Sequence, residues 1–131
     1  MTGLTGDKVN TYIELLNSKI ELYAQKRSEF LEAGKYETAT EYKLERRIME
    51  EVLDKLKEII KEQGKTQSGT DLSEISVNKL LAYLDKQIAY CEKERKACYG
   101  EDFNSALGYN FEVEREAHQY AKREFLKLCN E

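Results

Sequence analysis

From Val9 onward, apolar residues return at steps of four, three, four and three: Val9, Ile13, Leu16, Ile20 and Tyr23, then Phe30 after a step of seven. Arg27 stands where the missing apolar residue would fall. This is the spacing of a helix packed nearly parallel or antiparallel to another helix. The same seam returns 68 residues later as Val77, Leu81, Leu84, Ile88, Cys91, Arg95 and Cys98, and Arg95 falls on the register of Arg27. Seven positions in register, the arginine included, indicate an internal duplication of a helical unit. The flanking residues Leu15 and Leu22, which widen the first seam, become Tyr83 and Tyr90 in the second.

Each seam is followed by a second periodic segment. The first carries Ala39, Tyr42, Met49, Val52, Leu56 and Ile59, with Glu45 in the gap. The other carries Ala106, Tyr109, Val113, Ala117, Ala121, Phe125 and Leu128. Phe103, Ala106 and Tyr109 echo Tyr36, Ala39 and Tyr42 at a step of 67, and beyond them the match needs a one-residue shift. The chain has no proline to interrupt such segments. The expected fold is all-α, with helices over about 6–33, 36–62, 72–99 and 103–129 and essentially no strand. Residues 6–62 would form one antiparallel hairpin and 72–129 a second, joined by a polar linker at 63–71, within one domain of 131 residues. Two arrangements fit: a four-helix bundle, or splayed hairpins that bury their seams in a dimer. Thr5 or Asp7 can cap the first helix, Gly34 can stop it, and Asp71-Leu72-Ser73-Glu74 offers a further start.

The stretch Gly34-Lys35-Tyr36-Glu37-Thr38-Ala39-Thr40-Glu41-Tyr42 resembles the turn and second-helix start of a tetratricopeptide repeat, with the last aromatic one position early. The resemblance implies a shared way of turning between helices. The longer helices and the period of 68 residues, against about 34 in that repeat, separate the chain from the family, so its peptide-binding role is not carried over.

Composition narrows the function classes. Charged residues make up 35% of the chain and the net charge is −4, from 21 basic and 25 acidic residues interleaved along the helices. That balance suits wet helix faces and disfavours a general phosphate-backbone binder. The densest basic stretch, Lys43-Leu44-Glu45-Arg46-Arg47, reads as a solvated helix face. The longest apolar run, Leu80 to Leu84, is far short of the roughly 20 residues of a membrane span. The N-terminus lacks a signal layout and three cysteines cannot all pair within one chain, so a reduced, cytoplasmic location is expected.

Catalytic, metal and cofactor chemistry find no support. Cys91 and Cys98 lie two turns apart on one helix, roughly 10 Å by helical rise, and cannot both bind the zinc ion that His118 and Cys129 would complete. Arg115 stands three residues before the single histidine, so the Glu-x-x-His of a di-iron bundle is missing, as is a phosphate-cradling glycine loop.

What remains is a non-enzymatic protein–protein interaction module: an adaptor, assembly subunit or protein inhibitor working through helical faces. Its candidate surface is Leu15, Leu22, Tyr83, Tyr90, Tyr42 and Tyr109, since tyrosine is enriched at interfaces. The width of the stripes on segments one and three also predicts self-association, with a homodimer as the simplest form. Two alternatives stand beside it. One is a small-ligand or nucleotide binder using a Tyr- and Arg-lined crevice; the other is an acidic regulator competing with nucleic acid for a basic partner. Arg27 and Arg95 are expected to meet carboxylates, because an unpaired buried charge is costly: Glu41 or Glu45 for Arg27, and Glu112 for Arg95. Such pairs would fix hairpin register, or would instead hold an anion.

Overall fold

The computed structural model describes residues 3–64, 71–99 and 104–131. Four helices account for nearly all of them: α1 (Gly6–Glu32), α2 (Tyr36–Gln63), α3 (Glu74–Cys98) and α4 (Ser105–Cys129). The expected linker residues 65–70, and Phe103, lie outside the described residues.

The helix ends follow local chemistry. Thr5 caps α1 by accepting from the Lys8 N–H, and Ser73 caps α3 by accepting from the Ser76 N–H. These two caps are equivalent residues of the duplication. Gly34, at φ 74°, ends α1 in the left-handed conformation. Its N–H bonds to the Leu31 carbonyl while the Lys35 N–H reaches back to Phe30, which satisfies carbonyls the helix would leave unpaired. Asn104 caps α4 by accepting from the Leu107 N–H, so that helix starts two residues later than its pattern suggested.

α1 packs along α2, and α3 along α4, as two antiparallel hairpins. The hairpins do not splay. α2 lies against α4, α1 also touches α4, α3 also touches α2, and α1 and α3 do not meet as helices. Ahead of α1 and α3, Leu4 and Leu72 pair reciprocally: the Leu4 N–H bonds to the Leu72 carbonyl at 2.9 Å, and the Leu72 N–H to that of Leu4 at 2.8 Å. Leu4 and Leu72 are themselves equivalent in the duplication. Their mutual pairing, with the α1·α4 and α2·α3 contacts, puts an approximate twofold axis along the bundle. α2 and α4 flank that axis and run parallel to each other.

The register of the second helices differs from the one read in the sequence. Burial aligns Ala39 with Gly108, Ile48 with Ala117, Val52 with Ala121, and Leu56 with Phe125, a constant step of 69 residues. The echo of Ala39 and Tyr42 in Ala106 and Tyr109 is therefore a coincidence of residue types, since Ala106 and Tyr109 are exposed. Gly108 is the buried member because a Cβ there would come 2.8 Å from the Tyr99 ring.

One core draws on all four helices and is concentrated toward the Leu4–Leu72 end. There Val9, Leu16, Val52, Leu56, Ile59, Val77, Leu80, Leu84 and Phe125 are all buried. Tyr12, outside the expected seam, is fully buried as well. Its hydroxyl donates to the Ala121 carbonyl at 2.8 Å and its ring lies 5.1 Å from that of Phe125, tying α1 to α4 across the hairpins. Gln63 closes the same end. Its side chain donates to the Asp71 carbonyl and accepts from the Ser73 N–H and the Ser76 hydroxyl, joining the end of α2 to the start of α3.

Candidate functional site

The half of the bundle that carries the α1–α2 and α3–α4 connections is less closed. Among the described residues, Leu22, Leu31, Tyr36, Tyr90, Tyr99, Leu107 and Tyr109 are large exposed apolar or aromatic side chains, and all lie in this half; only Ile75 lies at the other end. Several crevices open here, and two of them lie on opposite sides of the α2–α4 contact.

The first, of about 380 Å³, is lined by Leu44 and Arg47 of α2, Tyr90 of α3, and Leu107, Asn110, Phe111 and Glu114 of α4. Tyr90 meets Phe111 edge-on at 6.3 Å. Arg47 forms an ion pair with Glu114, whose side chain is mostly buried. The second, of about 220 Å³, is lined by Tyr23 of α1, Glu41 and Glu45 of α2, and Tyr109, Val113, Glu116, Ala117 and Tyr120 of α4. Here the Tyr23 hydroxyl faces Glu45, and Tyr109 faces Glu41. Burial raises the Glu45 carboxyl above its ordinary range, and the neighbouring Glu41 and Glu116 charges add to the rise. Tyr23 and Lys19 act in the opposite direction.

The six residues expected at an interaction surface divide evenly. Leu22, Tyr90 and Tyr109 are exposed. Leu15 and Tyr83 pack at the edge of the core, with the Lys55 ammonium 5.6 Å above the Tyr83 ring. Tyr42 is half-buried and stacks on Phe30 at 5.6 Å.

The two seam arginines also differ. Arg95 Nε lies 3.9 Å from Glu112, which is shared with Arg115. Arg27 is half-buried and makes no ion pair among the described residues, while Glu41 and Glu45, expected beside it, face the tyrosine crevice instead. The register explains the contrast: the α2 residue equivalent to Glu112 is Lys43, which cannot pair with an arginine. The charge lining the second crevice is accordingly acidic and comes from glutamates, where arginine had been expected.

His118 occupies the core position equivalent to Met49 and is 1% exposed. Its Nδ1 bonds to the Glu114 carbonyl at 2.8 Å, one helical turn back, while Nε2 has no partner among the described residues. Burial, with the Arg47 charge second, lowers its pKa from 6.5 to about 4, so the ring is neutral near pH 7. Burial also raises the Cys91 and Cys129 thiols, which disfavours the nucleophilic thiolate. Among the described residues no three His, Cys, Asp or Glu side chains converge to hold a metal ion, and no helix is long and apolar enough to cross a membrane.

No protein-family profile, curated protein or solved structure matches the chain.

Proposed function

We propose that the protein is a non-enzymatic interaction module whose contact surface is the half of the bundle carrying the two interhelical connections. The observation that carries this reading is the division along the axis. Large apolar side chains are buried around the Leu4–Leu72 bridge, whereas seven exposed ones gather at the opposite end beside the two crevices. Scattered exposed apolar residues are ordinary, but a gathering of aromatic and leucine side chains at one end is the composition of an interface centre. Four of the seven are tyrosines, which combine large contact area with low conformational entropy.

The test is affinity capture with matched variants. Leu107→Glu with Tyr109→Lys should abolish co-purification of a partner, while Ile75→Glu at the packed end should leave it intact. Equal capture by all three proteins would refute the assignment. Light scattering on the same proteins tests whether the partner is a second copy.

A further inference from the structure

The approximate twofold axis relates the two crevices to each other. Leu44 of the first corresponds to Val113 of the second, Asn110 to Glu41, and Glu114 to Glu45. A carboxylate at least half withdrawn from solvent is thus kept in both. In the first crevice it is answered by the Arg47 guanidinium. The residue equivalent to Arg47 is Glu116, so the second crevice has a carboxylate where the first has its cation. Among the described residues Glu41, Glu45 and Glu116 form no ion pair. Two cations stand close by, on the Tyr120 ring rather than on a carboxylate: the Lys19 ammonium at 5.3 Å and the Arg123 guanidinium at 5.6 Å from the ring centroid.

We propose that the crevice between α1, α2 and α4 binds a guanidinium or primary ammonium group, which takes the place that the Arg47 side chain fills in the other half of the molecule. The chemistry suits such a head group. Carboxylates supply charge-assisted acceptors and Tyr23 and Tyr109 supply aromatic faces and hydroxyls, the combination that recognises organic cations. At about 220 Å³ the crevice falls below the roughly 300–1,000 Å³ of sites that enclose a whole drug-sized ligand, so it fits the charged end of a longer molecule. That molecule is either a free alkyl amine or a partner's arginine or lysine side chain. The inference stands on the internal comparison and does not require the interaction surface proposed above.

The experiment is titration of the full chain, followed by amide NMR in 150 mM NaCl so that diffuse surface attraction is screened. The probes are agmatine, spermidine, N-acetyl-arginine methylamide and N-acetyl-lysine methylamide. Saturable shifts centred on Glu45, Tyr109 and Glu116 are expected. Glu45→Gln should weaken binding about tenfold or more, as loss of a charged hydrogen-bond partner does. Glu116→Arg should abolish binding while the melting temperature holds or rises, because it recreates the Arg47–Glu114 pair in the second crevice. Lys19→Gln, which installs the residue found at the equivalent Gln87, should tighten binding by removing the nearest competing cation. Tighter binding of the polyamines assigns the site to a free amine, and tighter binding of the blocked amino acids assigns it to a partner's side chain. No saturable shift with any probe, or binding that survives both Glu45→Gln and Glu116→Arg, would overturn the proposal.

Discussion

His118 makes the bundle sensitive to acid, and Met49 shows how to remove the sensitivity. The ring is buried and neutral in the folded protein, with its pKa lowered from 6.5 to about 4. The unfolded chain takes up a proton first as pH falls. The stability contributed by keeping this histidine neutral is therefore complete above about pH 6.5 and is lost progressively toward pH 4. Between pH 8 and pH 5 this linkage amounts to about 2 kcal/mol, a large part of a small domain's stability. His118→Met places at this position the side chain that the duplicated half already carries, and methionine adapts well to core space. Urea denaturation of both proteins at pH 8 and pH 5 measures the effect. Wild type should lose about 2 kcal/mol more than the variant over that interval. Glu45 titrates in both proteins and cancels from the difference. Equal pH dependence in the two would refute the assignment of a buried, neutral His118.

Substitutions at two other residues test the packed end. Gln63→Ala removes the acceptor of the buried Ser76 hydroxyl, which keeps only the bond it accepts from the Ser73 hydroxyl, and frees the start of α3, and should cost about 1–3 kcal/mol in chemical denaturation with the denaturant slope unchanged. Tyr12→Phe removes only the hydroxyl bonded to the Ala121 carbonyl and should cost about 1 kcal/mol, whereas Tyr12→Ala also empties core space and should cost roughly 3–5 kcal/mol by the same measurement.

The seams of α1 and α3 were legible because apolar spacing records which face of a helix is covered. The Thr5 cap and the Gly34 stop were legible because helix ends have few chemical solutions, whereas α3 begins behind Ser73, two residues later than the Asp71–Glu74 stretch suggested, and the Asn104 cap of α4 was not read. Tyr12 and Leu80 were missed for a geometric reason. They lie one position before Ile13 and Leu81, and a straight helix of 3.6 residues per turn drifts away from a strict seven-residue seam, bringing the preceding residue inward. The register of α4 was misread because Ala106 and Tyr109 imitate the residue types of Ala39 and Tyr42, while Gly108, the residue that is buried, carries no apolar side chain to signal it. The acidic crevice needs residues from three helices, and no local pattern marks such a convergence. Only the step of 69 between α2 and α4 shows that Glu116 stands where the other half has Arg47.

The division of the bundle into a packed end and an open end is measurable directly by native-state hydrogen exchange. The amides of Leu56, Leu84 and Phe125 should exchange only through global unfolding, with the largest dependence on denaturant. Those of Leu31, Leu107 and Tyr109 should exchange through smaller openings that leave the Leu4–Leu72 end intact. Uniform protection along all four helices, or greater protection at Leu107 than at Leu84, would contradict the placement of the contact surface at the open end.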